Sequence, residues 1–498
     1  MICEVGIARC ASYDPGEVAE SLALAIERAG GMPPIESPDV LIKANLLSPS
    51  APDRAVTTHP EVLRAIVGEV RKIGNHPVHI ADNPGYIFTS AEALMDRTGV
   101  GRLAEIEGVT VGLLAEGGLR SVSSGSFRVL SEARVSKRYL DAGYCINAAK
   151  LKTHVETETS GCIKNIFGTA DTSTRKICHS SASQRRLAEA IVDLFSIRPP
   201  QFHILDAVVG MEGDGPSHGT PRRIGFLLAG RSALAVDWVA ATIMGYENPL
   251  CIPVLDAASA RGLGPSRRSE ITLRGAEWGE LPAVGFKKSS GLVRMFPTFL
   301  RGLAHSLVSI TPRLEREKCV RCGICGKVCP VNAISDGPSG ADRKRYPKVN
   351  RRSCVRCLCC HEMCPTGAMA AHKNLPARLA ASLRDGFSPS PGGCRPAPTP
   401  TLRFRTVGST TWDQSPGPPF IGCRELAPCR SLRQSLKVLL YFFCISAVAL
   451  ALRQNMPVSS ACGKINFACS VGIEGRHGGG IRDDVQGDTE TFGARLQR

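Results

Sequence analysis

From residue 1 to about 285 the chain alternates short apolar runs with segments whose apolar positions recur every three or four residues. DVLIK (39–43), PVHIAD (77–82), GYCIN (143–147), FHILD (202–206) and RIGFLLAG (223–230) are short, rich in β-branched residues and bounded by polar or glycine positions, the pattern of buried strands. PEVLRAIVGEVRKIG (60–74) has helical spacing and opens after the cap-like Thr57-Thr58-His59-Pro60; SQRRLAEAIVDLFSI (183–197) and ALAVDWVAATIMG (233–245) are further helices. Strand–helix alternation predicts an α/β domain over 1–285 with a mostly parallel sheet.

In such sheets ligands sit beyond the carboxyl ends of the strands. Four of the strands predicted here run into polar segments. Lys43 and Asn45 follow the first, and Asp82-Asn83-Pro84-Gly85 the second. Asn147, Lys150, Lys152, His154, Lys164 and Asn165 follow the third. Asp206 and the glycine-rich stretch with Glu212 and Asp214 follow the fourth. Lysines are point-charge ligands for phosphate or carboxylate oxygens, so Lys43, Lys150, Lys152 and Lys164, with Asn45, Asp82 and Asn165, predict an anion site. The Ser160-Gly161 step before an apparent helix predicts backbone N–H donors for the same anion. His154 is the candidate acid/base group, with Lys152 beside it, and His59 reads as a helix opener. Asp206, Glu212 and Asp214 could hold Mg2+ or orient the lysines. No G-x-G-x-x-G follows a strand and no G-x4-G-K-[ST] occurs, so neither a dinucleotide fingerprint nor a Walker loop is supported.

A different chemistry dominates 319–372. Of 21 cysteines, nine crowd into 319–364. Cys319, Cys322, Cys325 and Cys329-Pro330 form C-x2-C-x2-C-x3-C-P, repeated as Cys354, Cys357, Cys360 and Cys364-Pro365. This is the bacterial ferredoxin spacing for [4Fe–4S] clusters, in which the fourth thiolate of each run ligates the other cluster. One cluster is therefore assigned to Cys319, Cys322, Cys325 and Cys364, and the other to Cys354, Cys357, Cys360 and Cys329. Zinc sites favour paired C-x2-C units instead. Cys359 falls outside the pattern and reads as a packing residue. The basic segment ADRKRYPKVNRR between the runs reads either as a docking surface for an acidic redox partner protein or as a solvated hairpin.

The remaining stretches carry less. Residues 286–318 read as a linker; GLVRMFPTFLRGLAHSLVSITP (291–312) is amphipathic, suited to packing between domains or to lying on a membrane surface. From 373 the chain turns Pro/Gly/Ser-rich and reads as a low-order tail outside the working fold; its apolar run at 438–452 is shorter than the ~20 residues a spanning helix needs. The formal net charge of +16 suits acidic partners or substrates. Aromatics are only 5%, and no zinc-finger or RNA-binding signature occurs, so nucleic acid is not an expected partner. The N-terminus lacks a secretory pattern, which predicts a reducing, cytoplasmic setting with metal-binding thiols.

KANLL (43–47), TTHPEVLRAIV (57–67), ADNPG (81–85), NAAKLKTHVETETSGCIKNIFG (147–168), DAVVGMEGDGPSHGTPR (206–222) and AVDWVAATIMGY (235–246) together resemble the domain of unknown function 362 family, whose members are often fused to a C-terminal two-cluster ferredoxin module. The family pattern has proline where Ala44 stands. The resemblance implies a redox-active iron–sulfur protein and brings no substrate; whether flavin or a further metal binds is left open. A fainter likeness ties 57–70 to the α/β domain of lactate racemases. Three functions follow as expectations. The first is an oxidoreductase passing electrons through two clusters to an anionic small molecule, with His154 as proton donor. The second is a non-catalytic carrier or maturation partner. The third is a racemase-like enzyme with an appended ferredoxin module.

Overall fold

The computed structural model describes residues 2–85, 90–180, 183–281, 283, 285–288, 310–339 and 345–374. Residues 291–309 of the amphipathic linker, the apolar run at 438–452 and the whole tail from 375 lie outside the described residues. Among the described residues no helix is long and apolar enough to cross a membrane.

Among the described residues eleven strands precede the cluster-binding segment: β1 (Cys3–Arg9), β2 (Val40–Lys43), β3 (Val78–Asp82), β4 (Val109–Leu113), β5 (Leu119–Val122), β6 (Ala133–Ser136), β7 (Tyr144–His154), β8 (Glu158–Ser160), β9 (Phe202–Glu212), β10 (Thr220–Gly230) and β11 (Ile271–Arg274). The main sheet runs β11-β1-β10-β9-β7-β2-β3-β4, with β8 folded back on the end of β7 and β5–β6 a separate ribbon. Pairings from β9 through β7, β2 and β3 to β4 are parallel, as the alternation predicts; β10 is antiparallel to both neighbours.

Helices α1 (Pro15–Arg28), α2 (Pro60–Ile73) and α3 (Ala91–Thr98) cover one face. The other carries α4 (Lys137–Asp141), α5 (Cys162–Asn165), α6 (Thr172–His179), α7 (Gln184–Ile197), α8 (Ala233–Ile243) and α9 (Pro253–Ser259). Helix α2 shows why the pattern works. His59 caps it through a side chain that accepts the Glu61 N–H, Pro60 supplies the first helical φ, and Val62, Leu63, Ile66, Val67 and Val70 form its buried stripe. Strand β7 shows the period of two: Tyr144, Ile146 and Ala148 pack in the α1/α2 core, Cys145, Ala149 and Leu151 in the other.

The strands differ from expectation where it matters most. The sequence reads a strand to Asn147 and a polar loop beyond it. The strand instead runs eleven residues to His154, every one buried. Strand β9 likewise continues to Glu212. A central strand must pair its backbone on both sides, and β7 has β2 and β9 as neighbours. Its polar side chains are tolerated because each of the two buried lysines has partners. Lys150 Nζ lies 2.8 Å from Asp206 and 2.7 Å from the Tyr13 hydroxyl. Lys152 Nζ donates to Asn45 Oδ1 at 2.7 Å and to the Val56 carbonyl at 2.8 Å.

The cluster-binding segment pairs β12 (Ile310–Leu314) with β15 (Met369–Lys373) and β13 (Ile334–Ser339) with β14 (Arg345–Val349), so the basic segment between the cysteine runs contributes to a hairpin. It packs on the α/β domain within one compact unit. His218 Nε2 meets the His361 carbonyl at 2.9 Å, and Gly85 lies where a Cβ would stand 2.6 Å from Met363 Cε, so the methionine packs directly on the glycine backbone.

Removing Asp206 would leave Lys150 buried without its carboxylate. Asp206→Ala is expected to destabilise the α/β domain by about 3–5 kcal/mol, read as a shift of the urea unfolding midpoint. An unchanged midpoint would show that this pair does not hold β7 to β9.

Candidate functional site

The carboxyl end of β7, the α5–α6 region and the cluster-binding segment enclose a cavity of about 470 Å³, within the range of small-molecule sites. Lys152, His154, Lys164, Arg175 and Lys176 line it from the α/β domain, with Asn45, Asp82, Asn83 and Asn165 at its back. Lys327, Asn332, Cys359, Glu362 and Met363 close it from the cluster-binding segment. Five lysine and arginine side chains thus face two carboxylates, and one of those, Asp82, is already paired with Lys43 at 2.7 Å.

Each polar wall is set by local structure. Asp82 ends β3; it accepts the Leu46 N–H at 2.6 Å as well as the Lys43 ammonium. Gly168 makes room, since a Cβ there would stand 2.5 Å from Asp82 Oδ1. Asn165 links the strands: its Oδ1 accepts from Asn45 at 2.9 Å and its Nδ2 donates to Asn147 Oδ1 at 2.8 Å. Through Asn45 this network reaches Lys152. Burial, reinforced by the nearby Lys164 ammonium, pulls the Lys152 pKa down to about 7, so this amine exchanges its proton near neutral pH.

His154 is 1% exposed. Its Nδ1 accepts backbone N–H groups of Glu156 at 3.2 Å and Thr157 at 3.4 Å, which places the proton of the neutral ring on Nε2. That Nε2 is buried, has no hydrogen-bond partner, and lies 3.8 Å from a Glu362 carboxylate oxygen. Burial, with Lys164, His179 and Lys152 close by, holds the His154 pKa well below the usual imidazole range, so the contact with Glu362 is no ion pair. His179 behaves oppositely. Burial opposes its charge, but Glu156 at 2.8 Å and Glu362 beyond raise its pKa. Lys164, half-buried, lies over the Phe167 ring at 5.1 Å, and no described carboxylate comes within ion-pair distance of it.

Several predicted site residues stand elsewhere. Lys43 and Lys150 do not line the cavity; they are committed to Asp82 and Asp206, so neither ammonium is available to an outside anion. Asp206 also accepts from Tyr13 and the His59 N–H, and His59 stacks on Tyr13 at 3.6 Å. Glu212 pairs with Arg222 at 3.1 Å and Asp214 is exposed, so the three acids do not converge on one ion. The N–H groups expected of the Gly161 turn are occupied: Asp237 accepts from Cys162 at 2.6 Å and Ile163 at 3.0 Å. No sequence signal pointed to Arg175, His179 or Glu362. Arg175 and His179 stand one turn apart on α6 and Glu362 lies in the dicluster domain, without ligand spacing, and only the fold gathers them.

The cysteines gather as two sets that fit clusters. Cys319, Cys322, Cys325 and Cys364 line one small hollow walled by Leu314, Ile324, Pro347 and Met369. Cys357 and Cys329 act electrostatically on Cys354, and Cys357, Cys354, Cys325 and Cys329 on the Cys360 thiol, so the second set lies together beside the first. Burial and then the neighbouring thiols push Cys325 up to about 11, so these groups become thiolates when iron supplies the opposing charge. The two runs share a backbone path. Arg321 and Arg356 have φ of 57° and 59°, and Gly323 and Leu358 have 74° and 56°. Left-handed turns of non-glycine residues are strain that recurs at functional sites. When bound, such clusters supply one-electron transfer.

Lys152 offers a direct check of the electrostatics. Its labelling by limiting acetic anhydride, followed by peptide mass spectrometry, is expected to half-titrate near pH 7. Half-titration near the ordinary lysine value of about 10.4 would contradict a desolvated amine.

Residues 40–242 match the family described as Domain of unknown function (DUF362), and residues 318–368 match a 4Fe-4S dicluster domain. A thylakoid-associated protein of Synechocystis sp. is 33% identical over 276 residues, 55% of this chain and 83% of that one. Among solved structures, the lactate racemase apoprotein from Thermoanaerobacterium thermosaccharolyticum aligns at 12% identity and a TM-score of 0.31, over 47% of this chain and 54% of that one. A structural-genomics protein from Thermotoga maritima aligns at 14% and 0.30, over 49% and 59%. The chain thus spans little more than half of either solved protein, and at these scores neither likeness bears on activity. The chain belongs to the domain of unknown function 362 family and is an iron–sulfur protein whose C-terminal part is a 4Fe-4S dicluster domain.

Proposed function

We propose that the protein is an oxidoreductase acting on an anionic small molecule held in the cavity between the sheet and the dicluster domain. The observation that carries this reading is the wall itself: Lys152, Lys164 and Arg175 come from one side, and Cys359 and Glu362, which flank the cluster cysteine Cys360, from the other. A compound bound there would sit beside the cysteines assigned to the second cluster, Cys354, Cys357, Cys360 and Cys329.

The division of labour follows from the side chains. Lys164 and Arg175 hold negative oxygens in a partly desolvated site, where such contacts are stronger than in water. Arg175 is fixed by its bond to the Pro84 carbonyl at 2.9 Å. His154, held neutral by burial, offers its unpartnered Nε2–H to the bound anion as a hydrogen bond rather than as the proton donor expected from the sequence. Lys152, with its pKa near 7, is the group that can give a proton and regain it at neutral pH. Asn45 and Asn165 hold Lys152 in register.

The test is reoxidation of the reduced protein, followed by the visible absorbance of its clusters, against a panel of small carboxylates and phosphate esters under exclusion of oxygen. At least one class is expected to accelerate reoxidation. Lys152→Ala combined with His154→Ala should lose at least about a hundredfold of that acceleration with spectra and iron content intact. If no anion accelerates reoxidation, while a protein acceptor does so equally in wild type and the double variant, the protein is a carrier and the reading fails.

A further inference from the structure

Cys359 is the ninth cysteine of the cluster-binding segment and belongs to neither cysteine run. It opens the short helix Cys359–Glu362, is 8% exposed, and stands on the cavity wall. Facing it from the α/β domain are Glu156, in the turn between β7 and β8, and His179, the last residue of α6. One ligand atom from each of the three side chains lies within 4.8 Å of the other two. His179 Nδ1 and Glu156 Oε2 are 2.8 Å apart and pair by charge, but off the hydrogen-bond direction. A cation bound between them would replace the proton they share and give each a lone-pair contact of good geometry. A tetrahedral ion would need this pair to open by only about half an ångström, to roughly 3.3 Å for N and O donors at the usual bond lengths.

We propose that Glu156, His179 and Cys359 form a site for a borderline divalent metal ion, zinc or ferrous iron, joining the α/β domain to the dicluster domain. The donor set chooses the class. One thiolate and one imidazole disfavour magnesium and calcium, which take oxygen ligands, and suit the borderline ions. Three protein ligands leave a coordination position for a molecule from outside, the pattern of catalytic rather than structural sites. His179 and Cys359 both line the cavity, so the cavity supplies that molecule. The Phe167 ring meets the His179 ring edge-on, with centroids 5.5 Å apart, and fixes its orientation. This site does not depend on the cavity's substrate being reduced.

Cys359 also neighbours the Cys357 thiol, so the rival assignment is that Cys359 serves a cluster. Zinc separates the two, because the clusters contain none. The full chain, purified without oxygen, is incubated with Zn2+, desalted, and analysed for zinc and iron, with X-ray absorption at the zinc edge. About one zinc per chain is expected, with a single sulfur neighbour at about 2.3 Å. Glu156→Gln and His179→Gln should each lower retained zinc at least about tenfold with iron unchanged. Cys359→Ser should remove the sulfur signal, again with iron unchanged. Zinc that is not retained, or is retained equally in all three variants, overturns the proposal. So does loss of iron in Cys359→Ser, which would give Cys359 to a cluster.

Discussion

The cost of burying a charged amine organises this molecule. An ammonium taken out of water must be paired, must lose its proton, or must wait for a ligand. Lys43 and Lys150 take the first course, against Asp82 and Asp206. Those pairs tie β2 to β3 and β7 to β9 at the carboxyl edge of the sheet. Lys152 has only neutral partners, Asn45 and the Val56 carbonyl, and its pKa falls toward neutrality. Lys164 turns its half-buried ammonium toward the cavity. One row of sequence lysines therefore divides into two that build the fold and two that line the cavity.

The same constraint explains what could be read in the sequence. Periodicity located α2, α7 and α8 within two residues of their ends, because an amphipathic helix records its buried face directly. It also located the starts of β2, β3, β7 and β9. It failed beyond Asn147, since a strand whose side chains are Lys150, Lys152 and His154 has no apolar signature; what makes those residues tolerable is Asp206, Tyr13 and Asn45, far off in the chain. The cysteine runs were legible because their ligand set is local and its spacing specific. The pairing of Lys43 with Asp82 was not legible, since the spacing gives lysine and carboxylate alike as surface groups. Nor was Asp237, which fills the N–H groups that the Gly161 turn seemed to offer an outside anion.

The dicluster domain does more than append a redox group. Its segment around Cys359–Met363 forms one wall of the cavity and rests on Gly85 and His218. The glycine-rich stretch that looked like an acidic ion site instead carries His218 to this contact. The α/β domain alone would leave Lys152 and His154 open to water, which would raise the Lys152 pKa. Cavity and dicluster domain are thus parts of one construction, and the cavity is not complete without both.

The central claim is that this cavity holds a small anion beside the clusters. Native mass spectrometry of the full chain, purified without oxygen and with iron counted in the same sample, tests it most directly. The account predicts eight irons, four for each [4Fe–4S] cluster, and a retained anionic compound whose mass is lost on Lys164→Gln with Arg175→Gln. A full complement of iron, with no compound retained and none taken up from a mixture of carboxylates and phosphate esters, would contradict it.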